Sequence, residues 1–166
     1  MKNFVVTINR TCGSGGSIVG SLVSKKLGVP LYDKATVLPD EERTQTREAF
    51  SKSAAKIREM AESGSFVIVG RCADYVLRDA ETCVVRVFIS ASDDFRIKQE
   101  AAYMRISDED ALDRINMLDR ERATYYFQFT EGEWLNPKNY DICLNTSSLS
   151  YEECADIIIA ILKSRA

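Results

Sequence analysis

Phe-Val-Val-Thr-Ile-Asn-Arg-Thr-Cys-Gly-Ser-Gly-Gly-Ser-Ile-Val-Gly, residues 4–20, is the stretch of this chain that decides its fold. Phe4 to Ile8 is a short apolar run rich in β-branched residues and predicts a strand, whereas Ser17 to Leu27 carries apolar residues at a helical period. Between them, Gly13 to Gly16 holds three glycines, which allow positive φ and a close approach to a ligand. Because a helix start offers free N–H groups and the positive end of a dipole, we interpret this turn as a cradle for a nucleotide phosphate.

The glycine turn departs from the usual phosphate-loop pattern GxxxxGK[ST] at two positions. Arg10 stands at the first glycine, and Gly16 stands at the lysine that would reach the β and γ phosphates, while Ser17 keeps the hydroxyl that could hold Mg²⁺. The dinucleotide pattern GxGxxG would need glycine at position 18, where the chain has Ile18, so an NAD-binding domain fits less well. A tight turn that binds nothing is also compatible with this window.

Composition limits the class of protein. The chain has 166 residues with 45% hydrophobic and 28% charged residues, which is typical of one globular domain. It has neither an apolar run long enough to span a membrane nor the layout of a signal peptide, so we expect a cytoplasmic protein. The net charge of −3 argues against a general nucleic-acid binder, which would need a basic surface.

The cysteines and the missing histidine restrict the chemistry further. The five cysteines are widely spaced and form no CxxC pair, so we expect reduced thiols, not a zinc site or a disulfide framework. The chain has no histidine, the commonest general base and metal ligand. Any catalysis must therefore use carboxylates, arginines, backbone dipoles or a bound metal ion.

Apolar runs and helical patterns alternate along the rest of the chain. The uninterrupted run Phe66 to Val69 is typical of a strand buried on both faces. The alternation predicts an α/β fold in one domain, residues 1–166, with a parallel sheet of about five strands covered by helices on both faces. The polar segment Val37 to Thr46 is predicted to be an exposed, mobile connection. The remaining strands are predicted at residues 31–33, 84–89 and 140–144, and the remaining helices at 47–63, 73–77, 107–126, from Ser92 and from Ser150.

Polar or glycine-containing segments follow several of these strands, at the edge where parallel sheets bind ligands. Arg71 has the strongest single-residue case for a binding role, because an arginine at the end of a buried strand seldom goes unpaired. On the long helix, Asp119 and Arg122 share a face by their i, i+3 spacing. That face could equally be a solvated surface with ion pairs. The strand-end segments are Gly13 to Ser17, Asp33, Gly70 to Cys72 and Asn145 to Ser147.

Taken in order, these segments resemble the cytidylate kinase-like family of P-loop nucleoside monophosphate kinases. The likeness covers nearly all of the chain except residues 37–50. It implies a three-layer P-loop NTPase fold. The matching sequence segments are Thr7-Ile8-Asn9-Arg10, Gly13-Ser14-Gly15-Gly16, Leu31-Tyr32-Asp33, Val67-Ile68-Val69-Gly70-Arg71, Val87-Phe88-Ile89 with Arg96, Asp119-Arg120-Glu121-Arg122, Tyr125-Tyr126 and Asn145-Thr146-Ser147.

The resemblance also implies roles for individual residues. Asp33 and Arg71 would face the acceptor, beside a reduced acceptor-binding segment at residues 34–63. A lid at residues 105–126 would close on the transferring phosphoryl group. The residues implied to bind the donor phosphates are Arg10, Gly13, Ser14, Gly15, Gly16 and Ser17, with Ser17 near Mg²⁺. The implied catalytic residues of the lid are Arg114, Asp119 and Arg122, and those beside the adenine are Asn145, Thr146 and Ser147.

The activity implied is ATP- and Mg²⁺-dependent phosphoryl transfer to a nucleoside monophosphate such as CMP or dCMP, or to a related small acceptor. The expected binding partner is then a small-molecule nucleotide, and we expect binding neither to nucleic acid nor to a membrane. The sequence does not indicate an oligomeric state. Three positions depart from the family pattern: Gly16 replaces the loop lysine, Ile115 replaces a lid arginine and Cys72 replaces an aspartate. These losses favour an alternative, a nucleotide-binding sensor or partner module without transfer activity.

Overall fold

The computed structural model describes residues 2–37 and 45–165. Within them, five strands form one parallel sheet in the order β2-β3-β1-β4-β5. This arrangement confirms the predicted α/β fold. The strands are β1 (Phe4–Arg10), β2 (Leu31–Tyr32), β3 (Phe66–Val69), β4 (Cys83–Ser90) and β5 (Ile142–Asn145). The helices are α1 (Gly16–Leu27), α2 (Lys34–Val37), α3 (Arg47–Ser63), α4 (Ala73–Val76), α5 (Asp93–Met104), α6 (Asp108–Thr130) and α7 (Tyr151–Arg165), with a 3-10 turn at Pro137–Asn139.

The central strand β1 is buried on both faces because helices cover the sheet on either side. Val6 and Ile8 pack in one cluster with residues of α1 and α7. Val5, with its side chain on the opposite face, packs in a second cluster with residues of α3 and α4. This alternation along one strand is the period of two expected for β structure. Because β1 and β3 pair in parallel, their carboxyl ends lie at the same edge of the sheet.

The helices agree closely with their sequence patterns, with two differences. Helix α3 spans Arg47–Ser63 as expected. Helix α7 follows Ser150 as expected, and its first turn is a capping box in which Ser150 and Glu153 exchange two hydrogen bonds of 2.7 and 3.1 Å. Helix α6 runs four residues beyond the predicted end at Tyr126, because Phe129 stacks on Phe50 of α3 with ring centroids 4.5 Å apart.

The second difference lies in the predicted connection Val37 to Thr46. Val37 is buried and ends the short helix α2, because it packs in the cluster beneath α3. Residues 38–44 of that connection lie outside the described residues. Across the described ranges, no helix combines the length and the apolar character that crossing a membrane requires.

Candidate functional site

The glycine turn between β1 and α1 has the backbone shape of an anion-binding loop. Gly13 and Gly15 have φ of +78° and +83°, in the left-handed region that favours glycine. Gly13 also passes under Arg96, whose carbonyl oxygen would lie 2.8 Å from a Cβ at this position. The amides of residues 15–18 at the start of α1 have no hydrogen-bond acceptor within the described part of the chain. These amides and the helix dipole favour an anion above the loop.

Hydrogen bonds beneath the loop hold it in this shape. The Ser14 hydroxyl donates to the carbonyl oxygens of Thr11 at 2.7 Å and Ile89 at 3.2 Å. The Thr146 hydroxyl donates to the carbonyl oxygen of Ser14 at 2.6 Å. The side chains of Ser14 and Thr146 are therefore engaged in fixing the loop and do not point into the space above it.

A partly buried ion pair holds α5 and α6 against the loop. The Cys12 amide donates to Asp119 Oδ1 at 2.7 Å, and Arg96 Nη1 donates to Asp119 Oδ2 at 2.6 Å and to the Cys12 carbonyl oxygen at 3.1 Å. Arg96 Nη2 also donates to Asp93 at 2.9 Å. Burial alone would lower the pKa of Arg96, but its bonds to Asp93 and Asp119 raise it. We call the set Cys12, Arg96 and Asp119 the loop clamp.

Two cavities open along this edge of the sheet and meet. The loop cavity, about 400 Å³, lies over the glycine turn and is flanked by Glu100, Tyr103, Arg114 and Tyr151. The strand-end cavity, about 390 Å³, lies over the ends of β1 and β3. Its lining includes Asp33, Lys34, Gly70, Arg71, Tyr125 and Trp134. The residues common to both cavities are Arg10, Ser17, Leu118 and Arg122.

Three arginines lie close together at this edge: Arg10 and Arg122 where the cavities meet, and Arg71 beside them in the strand-end cavity. Arg122 Nη1 donates to the carbonyl oxygen of Arg10 at 3.3 Å, and Arg71 lies over the Tyr125 ring with Cζ 4.8 Å from its centroid. Withdrawal of the Arg10 guanidinium from water, together with the nearby charges of Arg122 and Arg71, lowers the pKa of Arg10 to about 10. None of the three guanidinium groups has a carboxylate partner in the ranges that the structure describes. Such a cluster of unpaired cations favours a polyanionic ligand.

The turn after β3 is unusual because three successive residues are left-handed. Gly70, Arg71 and Cys72 have φ of +75°, +60° and +52°. Glycine adopts this conformation readily, but it costs about 1–2 kcal/mol for each residue with a Cβ. Cys72 is buried and precedes α4, while the turn directs Arg71 into the strand-end cavity.

A buried polar network lies beneath the strand-end cavity. The Asp74 carboxyl accepts hydrogen bonds from Asn9 Nδ2 at 3.1 Å and from the Tyr126 hydroxyl at 2.8 Å. The Tyr140 hydroxyl accepts from Asn9 at 3.0 Å and donates to the carbonyl oxygen of Trp134 at 2.6 Å. Burial raises the pKa of Asp74 despite the hydrogen bonds that it accepts. The network joins β1, α4 and α6 and so fixes the floor of the site.

The structure brings most of the site residues predicted from the sequence to the two cavities. Asp33 is exposed in the strand-end cavity, and Ser17 is exposed at the junction. Arg114 lies in the loop cavity, where its Nε donates to Glu100 at 2.6 Å. Asn145, Thr146 and Ser147 line neither cavity. The Asn145 side-chain Oδ1 accepts from the Ser147 amide at 2.9 Å, and the Ser147 hydroxyl accepts from the Ser92 amide at 2.7 Å.

Sequence reasoning missed Tyr151 and Glu100. The Tyr151 ring lies against the loop, and its Cζ would be 2.7 Å from a Cβ placed on Gly15. Tyr151 is the first residue of α7, which follows β5, so its position after a strand could have indicated a place near the site. Glu100 lies in the last turns of α5, and its sequence context gives no comparable signal.

Comparison with known proteins agrees with this architecture. A cytidylate kinase of Methanocorpusculum labreanum is 24% identical to the chain, over 96% of each sequence. A crystal structure of an uncharacterized protein from Eubacterium ventriosum superposes with a TM-score of 0.90 at 29% identity, covering 98% of this chain and 100% of the other. A shikimate kinase from Bacteroides thetaiotaomicron shares the fold, with a TM-score of 0.62 at 15% identity over 96% and 98% of the two chains. The family model described as the cytidylate kinase-like family matches residues 5–49 and 39–148, and with its parallel sheet and glycine loop the chain belongs to that family.

Proposed function

We propose that this protein transfers the terminal phosphoryl group of ATP, in the presence of Mg²⁺, to a nucleoside monophosphate such as CMP or dCMP, or to a related small acceptor. The observation that carries the proposal is the meeting of two cavities at Arg10, Ser17 and Arg122. A kinase needs separate spaces for donor and acceptor with a shared, positively charged boundary where the phosphoryl group moves.

The loop cavity is the proposed donor site. The free amides at the start of α1 would bind the donor's phosphates, as glycine loops of this type do. The Ser17 hydroxyl, at the junction, is the proposed protein ligand of Mg²⁺. In the described ranges, no group of three or more acidic, cysteine or histidine side chains could hold a metal ion, which fits a magnesium held mainly by nucleotide phosphates and water.

The strand-end cavity is the proposed acceptor site. Arg71 and Asp33 provide a cation and a hydrogen-bond acceptor, and the Tyr125 ring keeps Arg71 in place. The excess of cations in this cavity suits an acceptor that already carries a phosphate better than it suits a neutral sugar. The name of the cytidylate kinase of Methanocorpusculum labreanum supports a pyrimidine monophosphate.

Transfer breaks the bond between the γ-phosphorus and the oxygen bridging to the β-phosphate, and forms a bond to a phosphate oxygen of the acceptor. The products are ADP and a nucleoside diphosphate. Arg10, Arg114 and Arg122 would neutralise charge on the transferring group, and Asp119 would act by holding the loop through the loop clamp. Because phosphoryl transfer depends on positioning and charge neutralisation, it needs no histidine.

A coupled assay of ADP release with CMP, dCMP, UMP and AMP tests the proposal. We expect ADP release with a pyrimidine monophosphate. In Arg122→Met we expect kcat to fall at least about a hundredfold, as it does when other contacts to a transition state are removed. Arg120→Met is the matched control, because Arg120 is exposed on the same helix and lines neither cavity. ADP release that stays at background with every acceptor would contradict the proposal.

Two observations favour the alternative function, nucleotide binding without transfer. Gly16 stands at the position of the loop lysine and supplies no cation. Ile115 stands at the position of a lid arginine, and it is fully buried, so it cannot reach a nucleotide. Calorimetry that shows ATP binding, together with no ADP release in the coupled assay, would favour this alternative.

A further inference from the structure

The side chain of Arg10 crosses the position from which a residue-16 side chain would start. A Cβ built on Gly16 would overlap the Arg10 Cβ and would lie 2.6 Å from its Cγ and 3.4 Å from its Cδ. Real Cβ atoms do not approach other carbon atoms so closely, so the stem of Arg10 and any side chain at position 16 exclude each other. Gly16 does not have a positive φ, so its backbone conformation does not require glycine. The position requires glycine because the Arg10 side chain fills the space that a Cβ would need.

The Arg10 guanidinium ends at the boundary of the two cavities. Its Nη1 lies 3.2 Å from the place of a Cβ on Gly70, at the end of β3, and the side chain lines both cavities. It has no hydrogen bond or ion pair within the described ranges. Withdrawal from water and the charge of Arg122 lower its pKa to about 10, which still leaves it charged at neutral pH. The group is thus a partly buried cation without a counter-ion.

We propose that Arg10 supplies the cation that the glycine loop lacks at position 16, that its guanidinium contacts the terminal phosphate of the donor, and that Gly16 is required because the Arg10 stem passes over it. This inference rests on the proposed function, in which the loop cavity holds the donor. Positions 10 and 16 are then an exchanged pair: the glycine and the cation of the usual loop pattern have changed places. A guanidinium suits this role because it stays charged and can bind two phosphate oxygens with parallel hydrogen bonds.

The test is a series of ATP dissociation constants, measured by calorimetry with Mg²⁺ and no acceptor. Arg10→Met keeps most of the stem and removes the charge, and we expect ATP to bind at least about tenfold more weakly. Arg10→Lys keeps a charge without the planar fork, so its affinity should lie between those of wild type and Arg10→Met. Gly16→Lys alone should also weaken binding, because its side chain and the Arg10 stem compete for one space.

The decisive variant combines Arg10→Gly with Gly16→Lys, which restores the usual arrangement. We expect this double variant to bind ATP more tightly than Arg10→Met and than Gly16→Lys. Arg120→Met should bind as wild type does. The proposal is overturned if Arg10→Met binds ATP with wild-type affinity, or if the double variant, folded by circular dichroism, binds no better than the single variants. Should the double variant not fold, the ranking of wild type, Arg10→Lys and Arg10→Met decides alone.

The binding series also separates this proposal from the proposed function. Wild-type protein that binds ATP but releases no ADP with any acceptor would refute the kinase activity, and the Arg10 assignment would still be decided by the affinities. Wild-type protein that does not bind ATP with Mg²⁺ would overturn both.

Discussion

Replacing Asp119 by asparagine should loosen the attachment of helix α6 to the glycine loop. Asp119 Oδ1 accepts from the Cys12 amide and Oδ2 accepts from Arg96, at 2.7 and 2.6 Å. An asparagine keeps one acceptor oxygen but presents an NH₂ group and no charge in place of the other. Arg96, only 9% exposed, would then keep one carboxylate, that of the solvent-exposed Asp93.

The size of the effect follows from the bond that is lost. A hydrogen bond to a charged group contributes about 1.5–3 kcal/mol, and a buried guanidinium left without its main partner adds a desolvation cost. The Asp119 side chain is 20% exposed, so water partly compensates, and we expect a loss of about 2 kcal/mol in the free energy of unfolding. For a domain of this size, that corresponds to a fall in Tm of about 4–8 °C.

Thermal unfolding followed by circular dichroism, with urea unfolding as a second measure, would test this value. Asp113→Asn is the matched control, because Asp113 is an exposed acid on the same helix and has no ion pair within the described residues. We expect the control to stay within about 0.5 kcal/mol of wild type. Equal stability of the two variants would refute the reasoning, since it would mean that the loop clamp contributes nothing to the fold.

Two further predictions concern the strand-end cavity and its floor. Arg71→Ala should abolish use of the acceptor with little change in Tm. Arg71 faces the cavity and contacts the Tyr125 ring, and it has no ion pair within the described residues. An unchanged KM for the acceptor in the coupled assay would contradict this role. Burial raises the pKa of Asp74 above its ordinary value of about 3.9, so its contribution to stability is full below that pH and declines as the pH rises through the folded-state pKa. The unfolding free energy of wild type relative to Asp74→Asn should therefore fall with rising pH above about pH 4, and parallel pH profiles would show that the carboxyl is not perturbed.

The fold could be predicted because its signals are local. The apolar run of β1, the glycines and the helical period of α1 lie within one short stretch, and the uninterrupted run of β3 requires a strand buried on both faces. The end of α6 could not be placed in this way. Its last turn is stabilised by Phe129 stacking on Phe50, a contact between helices that are far apart in the sequence.

The site was only partly predictable for the same reason. Strand ends pointed to Asp33 and Arg71, since parallel strands share one carboxyl edge. The loop clamp joins Cys12 to a carboxylate 107 positions away, and no spacing rule connects them. The sequence shows that Arg10 and Gly16 depart from the usual pattern, but only the three-dimensional path of the Arg10 side chain links the two departures.

The three left-handed residues that follow β3 have a consequence for how the site responds to destabilisation. Arg71 and Cys72 hold a conformation that an isolated peptide would rarely visit, so the surrounding tertiary structure has to maintain it. A mutation that weakens the packing beneath α4 should therefore relax this turn before the sheet itself opens. The strand-end cavity would then lose its geometry while spectroscopic measures of secondary structure still report a folded protein.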